Sequence, residues 1–321
     1  MVTEIKAGNG VLAYSISENE GVKSATIEYY RGKDVAVIVP ECIEGYPVVN
    51  IGKKAFLSAK TVSRIEIPRS VDRIGDWAFA SCNRLTELVL PSKSLDIGTG
   101  VFKDCNMLEK IVLKQTDKDC AAGVSEMDCA AGVSEKDCGT SNEDIFYLLA
   151  AAVSKLDAQY LFDTVNAGSP EWFGHFDSTV MQLLAKDDSD GFSKMLLCGE
   201  EDYVGDESNF DTYCLMNQKS KVRVLLLRLM YSEGLTEDIK NRFVSYLKEH
   251  MENVTWRVVV EEHGDDRAYF DLLIEYDCIN RENIAGLIES MGEHNTGMKG
   301  YLMKIKSERM AGSGFLDDLD L

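Results

Sequence analysis

Between residues 51 and 113 the apolar positions fall into a fixed register. Ile51-Gly52, Ile74-Gly75 and Ile97-Gly98 recur every 23 residues, as do Phe56, Phe79 and Phe102. The columns that follow are Ala59, Cys82, Cys105, then Val62, Leu85, Leu108, then Ile65, Leu88, Ile111, then Ile67, Leu90, Leu113. Pro68 and Pro91 close the last column and Lys114 breaks it. A register held over so many columns marks stacked repeats. In each unit the Val/Leu-x-x-Ile/Leu-x-Ile/Leu part ends with a period of two, which predicts a short strand with one face buried. The Ile-Gly-x-x-Ala/Val-Phe-x-x-Ala/Cys part spaces its apolar residues at i, i+4 and i+7 and predicts one or two helical turns.

A strand plus a short helical turn in about 20–29 residues is a leucine-rich repeat. Its strands stack in parallel and the Phe column forms an apolar spine behind them. The stretches Glu44-Gly-Tyr-Pro-Val-Val-Asn-Ile-Gly-Lys-Lys-Ala-Phe56 and Ile65-Glu-Ile-Pro-Arg-Ser-Val-Asp-Arg-Ile-Gly-Asp-Trp-Ala-Phe-Ala-Ser-Cys82 resemble the BspA-like, or treponemal, leucine-rich repeat family. Gly10–Val39 resembles the entry cap of such proteins, a hairpin ending in Val35-Ala-Val-Ile-Val-Pro40. The resemblance implies a bacterial, non-enzymatic binding module, adhesin-like or a scaffold for protein partners. A solenoid this short exposes apolar ends, so something after Leu113 is expected to cover the last strand.

After residue 114 the pattern changes. Lys118–Glu126 and Met127–Glu135 repeat with a period of nine, placing Cys120, Cys129 and Cys138 at equal intervals. That spacing puts the cysteines neither on one helical face nor in a tight knuckle, so a duplicated linker is expected rather than a metal site. From Asn142 the chain reads as helical, starting at Ile145–Val153. Val222–Glu233 stops at Gly234 and Thr236–Met251 follows. Val254–His263 stops at Gly264 and Asp266–Tyr276 follows. Arg281–Met291 stops at Gly292 and Thr296–Lys306 follows. These read as helical hairpins with glycine C-caps, and their tandem order resembles an ankyrin-type stack. Glu200–Asn209 reads as a loop.

The expected fold class is therefore α+β: a short leucine-rich-repeat β-solenoid of 23-residue units followed by an α-helical hairpin-repeat domain. Residues 1–114 form the repeat domain with its N-terminal hairpin cap, 115–141 the linker, 142–311 the helical domain and 312–321 a frayed tail.

Charge supports that division. Residues 1–114 hold 15 Lys+Arg and 14 Asp+Glu, and residues 115–321 hold the remaining 19 and 40. A formal charge of −20 argues against nucleic acid or an anionic membrane as the target. The longest apolar run, Ile145–Val153, is far short of the roughly 20 residues a spanning helix needs. Met1–Gly10 has one lysine and no apolar core. It reads as no secretory signal, so a cytoplasmic location is expected, or the cell surface if a leader is removed. Nine cysteines without a CxxC pair read as free thiols.

Candidate chemistry is sparse. The repeat domain has no histidine, and Cys82 and Cys105 fall in the spine column, where cysteine behaves as a small buried hydrophobe. His250 and His263 end helices, where their charge suits the dipole. Asp187-Asp188-Ser-Asp190 and Glu200-Glu-Asp202 lack the spacing of an EF-hand loop and read as solvated faces. No catalytic residue, metal or cofactor is expected. The candidate binding residues lie between the buried columns of the strands, on the outward, concave face. One column is Ala36, Arg64, Glu87, Lys110 and the other Ile38, Glu66, Val89, Val112. An apolar stripe on such a face predicts a cover, either a protein partner or the helical domain. The alternative reading is a regulatory or metal-binding helical domain with a minor catalytic role.

Overall fold

The computed structural model describes residues 2–19, 21–114, 144–192, 210–292 and 295–309. The nonapeptide linker with Cys120, Cys129 and Cys138, the Glu200–Asn209 loop, Cys198, His294 and the 312–321 tail lie outside the described residues. The chain divides into two compact units, Met1–Phe176 and Asp177–Leu321.

The first unit is a β-solenoid of about four turns. Four parallel strands, β4 (Ala36–Ile38), β7 (Arg64–Glu66), β9 (Glu87–Pro91) and β11 (Lys110–Lys114), form one sheet in that order. Arg64 pairs with Glu87 and Glu87 with Lys110, so the 23-residue period of the sequence is the strand register. A second sheet runs β1 (Val2–Ala7), β2 (Gly10–Asn19), β3 (Val22–Arg31), β6 (Tyr46–Ile51), β8 (Arg73–Ile74) and β10 (Asp96–Ile97), with β5 (Cys42–Ile43) paired to β6. Its first three strands are antiparallel, and from β3 onward the strands on its path are parallel.

Ile51, Ile74, Ile65, Leu88 and Ile111 are all buried between the sheets. The Ile-Gly column has a steric cause. A Cβ on Gly75 would lie 2.8 Å from the amide nitrogen of Lys53 and 2.9 Å from the carbonyl carbon of Gly52, so only glycine lets successive coils approach this closely.

The segment after each Ile-Gly is not the helical turn that its i, i+4, i+7 spacing predicts. It is a chain of three-residue turns: Ala78 N–H donates to Gly75 O, Ala80 to Trp77 and Cys82 to Phe79. The intervening amides point to the next coil instead. Trp77, Phe79 and Ser81 donate to Thr99, Val101 and Lys103, and Lys54, Phe56 and Ser58 donate to Asp76, Ala78 and Ala80. Left-handed residues at two repeated positions make this possible: Lys54, Trp77 and Gly100 (φ +61°, +59°, +63°), and Ser58, Ser81 and Asp104 (φ +56°, +57°, +58°). They turn alternate amides outward, so each coil is hydrogen-bonded to its neighbour on this side as well as in the sheets. The exposed Ser58 holds this conformation without glycine's freedom. Ser58→Gly is expected to stabilise the unit by about 0.5–1 kcal/mol, read from urea melts. A destabilised variant would mean that the left-handed turn is not adopted.

The aromatic spine is continuous. Ring centroids are 5.6 Å apart for Tyr30–Phe56, 5.5 Å for Phe56–Phe79, 5.9 Å for Phe79–Phe102 and 5.1 Å for Phe102–Phe162. The last step leaves the repeats and enters the segment that closes the solenoid. There α1 (Asp144–Ser154) packs on β11, with Ser154 Oγ donating to Leu108 O at 3.2 Å. A 3-10 turn, Gln159–Leu161, stands in for the next coil. Gln159 accepts from Gly100 N–H at 3.0 Å and donates through Nε2 to Gly98 O. Thr164 Oγ1 donates to Lys93 O at 2.5 Å. The expected cover for the last strand is thus residues 144–164, which belong to the solenoid's own unit.

The helices after α1 are α2 (Pro170–Ala185), in which the unit boundary falls, α3 (Phe210–Met230), α4 (Glu237–Glu249), α5 (Trp256–His263), α6 (Arg267–Glu275), α7 (Ile284–Ser290) and α8 (Thr296–Arg309). A π-helical turn, Met251–Thr255, runs into α5. The pairs α3–α4, α5–α6 and α7–α8 are in contact, as the hairpin pattern predicts. An ankyrin-type stack is not shown. The 21-residue α3 packs against α4, the π-turn, α5 and α6, so one shared helix replaces a series of equal hairpins. It also begins at Phe210, well before the expected Val222. Its first half is polar because those side chains reach other segments: Asn217 and Gln218 donate to Asp188 and Lys219 to Glu261. Gly292 follows the cap residue of α7 in the left-handed conformation of a C-capping glycine (φ +62°). Gly234 is left-handed too (φ +69°) but lies four residues past Met230, where α3 ends. Gly264 caps α5 in the right-handed conformation. It is small so that Asn295 Nδ2 can reach Val260 O at 3.3 Å. No helix among the described residues is long and apolar enough to cross a membrane.

Candidate binding face of the parallel sheet

The β4-β7-β9-β11 sheet brings the candidate residues together in two rows, because strand pleating sends alternate side chains to one face. Ala36, Arg64, Glu87 and Lys110 are register partners, and so are Ile38, Glu66, Val89 and Val112. The middle of the face is an alternating charge lattice. Arg64 Nη1 lies 2.5 Å from Glu87 Oε1 and its Nη2 3.5 Å from Glu66 Oε2. Glu66 Oε1 lies 2.6 Å from Lys114 Nζ. Each such pair is solvent-facing and adds only about 0–1 kcal/mol, but together they fix the side-chain positions. At the β11 end Lys110 Nζ sits over the rings of Phe146 and Tyr147 of α1, at 5.9 and 5.3 Å.

The apolar row is not the open stripe that the sequence suggests. Val89 is 1% exposed and Val112 half-buried. Val89 lies between Glu66 and Val112, and the Lys114–Glu66 pair reaches from β11 to β7 across its strand. An aspartate at position 89 would therefore place a carboxylate inside the sheet's own packing and destabilise the repeat, rather than break a contact with a partner. The open apolar part is at β4, where Ile38 and the preceding Val35 are each 66% exposed beside the exposed Ala36. Val35 and Lys114 lie outside the two candidate columns. Lys114 had a signal, since it stands where the other units carry proline.

Other candidates resolve into structural roles. Cys82 Sγ donates to Phe56 O at 3.1 Å and Cys105 Sγ to Phe79 O at 3.0 Å, both buried in the spine. The Cys105 thiol is pushed up by the Cys82 sulfur beside it and then by burial, so it stays protonated. His250 stacks on Tyr246 and His263 on Tyr269. Asp188 accepts from the buried Lys221 Nζ at 2.7 Å and from Gln218 at 2.8 Å. The Ser189 hydroxyl and amide hold the Asp187 carboxyl below its usual range. Trp77, 44% exposed, lies over Gly100 with Lys54 Nζ 5.2 Å from its ring. Among the described residues no group of three or more His, Cys, Asp or Glu is placed to hold a metal ion. The buried pair Asp177–Arg228 had no signal in the local pattern.

Residues 44–123 match the family profile described as BspA type Leucine rich repeat region (6 copies). Three solved structures are similar over parts of their length. A Treponema (T. pallidum) leucine-rich repeat protein is 33% identical, covering 31% of this chain and 46% of its own, with a TM-score of 0.29. A leucine-rich cell surface protein from Faecalibacterium prausnitzii is 26% identical, covering 35% and 32%, with a TM-score of 0.28. A leucine-rich repeat protein from Bacteroides ovatus is 28% identical, covering 31% and 27%, with a TM-score of 0.28. The chain spans less than half the length of each of these proteins. No curated protein matches.

Proposed function

We propose that this chain is a non-enzymatic protein-binding module, adhesin-like or a scaffold, whose partner docks on the outward face of the parallel sheet. The observation that carries this reading is the composition of that face. Exposed Ala36 and Ile38 at β4 adjoin the fixed charges of Arg64, Glu66, Glu87 and Lys114. An apolar anchor beside a polar rim is the anatomy of a protein interface. The match to a leucine-rich repeat family supports it, since stacked repeats present extended concave surfaces. The partner is a protein with an apolar contact for Ile38 and charges that complement the lattice.

The test is affinity capture from the native cell with full-length chain, wild type against Ile38→Asp. Ile38 is mostly in water, so its substitution leaves the unit folded. Loss of a captured protein by at least about tenfold is expected when a carboxylate must be buried at the contact. Equal capture by both chains would remove the β4 end of this face from the interaction.

A further inference from the structure

The antiparallel sheet at the start of the chain ends in β1. β1 pairs with β2 on one side, and among the described residues no strand lies on the other. The hairpin joining them has a two-residue loop, Gly8-Asn9, with Gly8 left-handed (φ +62°) and Asn9 N–H donating to Asp34 Oδ1 at 2.9 Å. Such a loop closes on a hydrogen-bonded pair, here Ala7 and Gly10, and hydrogen bonding then alternates along the ladder. Ala7, Ile5 and Thr3 therefore turn their backbone groups toward β2. Val2, Glu4 and Lys6 turn theirs outward.

That edge is self-complementary in only one way near its centre. An antiparallel copy with its twofold axis at Glu4 or at Lys6 sets like charges directly opposite each other, which is unfavourable. With the axis at Ile5, Glu4 faces Lys6 of the second copy and Lys6 faces its Glu4. These are the residues whose amides and carbonyls point outward, so each opposed pair exchanges both backbone hydrogen bonds. Ile5 then meets Ile5 in the close, non-hydrogen-bonded position. Ile5 is half-buried beside the fully buried Leu12, so the second isoleucine extends an apolar row that already exists.

Glu4 is already oriented. Its Oε1 accepts from Tyr29 Oη at 2.9 Å and from Arg31 Nη2 at 3.2 Å, which leaves Oε2 for a further cation. Lys6 is exposed and forms no ion pair among the described residues. We propose that β1 is a homodimer interface, in which two copies of this chain join their antiparallel sheets edge to edge about a twofold axis at Ile5. The shared interface is isologous, as a twofold dimer requires. It lies in a different sheet from the candidate binding face, so each dimer would present two such faces to a partner.

Sedimentation velocity of the full chain, tagged at its C-terminus, tests this over about 1–200 µM, the range suited to a small interface. A monomer–dimer equilibrium is expected. Lys6→Pro removes an outward N–H and leaves the β1–β2 ladder bonds in place, and Lys6→Glu sets glutamate against glutamate. Each is expected to raise the dimer Kd at least about tenfold. The exchange Glu4→Lys with Lys6→Glu restores opposite charges across the axis and is expected to recover dimer formation relative to Lys6→Glu alone. Far-UV circular dichroism and thermal melts of each variant report that the monomer is folded. If the wild type is monomeric throughout, the proposal fails. It fails equally if Lys6→Glu dimerises as the wild type does, or if Ile38→Asp, and not the Lys6 variants, dissolves the dimer.

Discussion

Replacing Asp177 with alanine is expected to destabilise the second unit by about 3–5 kcal/mol. Arg228, on α3, has no exposed side-chain surface, and Asp177 has 3%. The pair is bidentate: Nε to Oδ1 at 2.6 Å and Nη2 to Oδ2 at 3.1 Å. Two further donors reach backbone carbonyls just past the helix, Nη1 to Tyr231 O and Nη2 to Glu233 O at 2.9 Å. The guanidinium thus ties the end of α3 to α2, and every direction it faces is protein. Without the carboxylate it is a buried cation that cannot shed its proton, and burying such a charge unpaired is very unfavourable. Asp177→Leu combined with Arg228→Met should recover most of the loss, since a well-packed apolar pair often replaces a buried ion pair at little cost. Hydrogen exchange of the α3 amides under increasing urea reads both variants. A loss below about 1 kcal/mol for Asp177→Ala would show that water reaches the guanidinium and that the site is not closed.

Phe79→Ala should destabilise the solenoid by a similar amount, about 3–5 kcal/mol. Phe79 has no exposed surface and touches a ring on each side, Phe56 at 5.5 Å and Phe102 at 5.9 Å. Its neighbours are fixed by hydrogen bonds between coils on both sides, so they cannot close the cavity. Two ring contacts, one tilted and one stacked, are lost with the buried area. Denaturant melts followed by tryptophan fluorescence measure this directly. A change under about 1 kcal/mol would mean that the spine register is wrong, or that the coils collapse onto the gap.

The solenoid was legible in the sequence because its contacts repeat at one fixed separation. Ile65 meets Leu88, and Leu88 meets Ile111, each 23 residues on, so every coil restates the same buried columns. That made the strand register and the spine readable from spacing alone. It also set the candidate residues in rows, which are register partners in the sheet. The backbone of the turns was not readable. Lys54, Trp77 and Ser58 are not residues whose chemistry announces a left-handed conformation, and an i, i+4, i+7 pattern fits a turn chain as well as a helix. The burial of Val89 was not readable either, and the Lys114–Glu66 pair that spans its strand joins side chains 48 residues apart.

In the helical half the periodic segments and the helix stops at Gly264 and Gly292 follow from the sequence, because an amphipathic face and a capping glycine are local. Which helices meet is not local. Local periodicity placed the start of α3 at its first apolar residues and passed over the polar turns before them, whose side chains are satisfied by Asp188 and Glu261. It likewise set the helical domain off at residue 142, whereas α1 packs on β11 and closes the solenoid. By itself the sequence determined what repeats: the coil, its period and its buried columns. The tertiary structure alone decided what occurs once, namely the cap at Gln159 and Thr164, the Asp177–Arg228 pair and the position of β1 at the end of its sheet. A contact made once leaves no period to detect, and its energy depends on burial and on partners that no local pattern encodes.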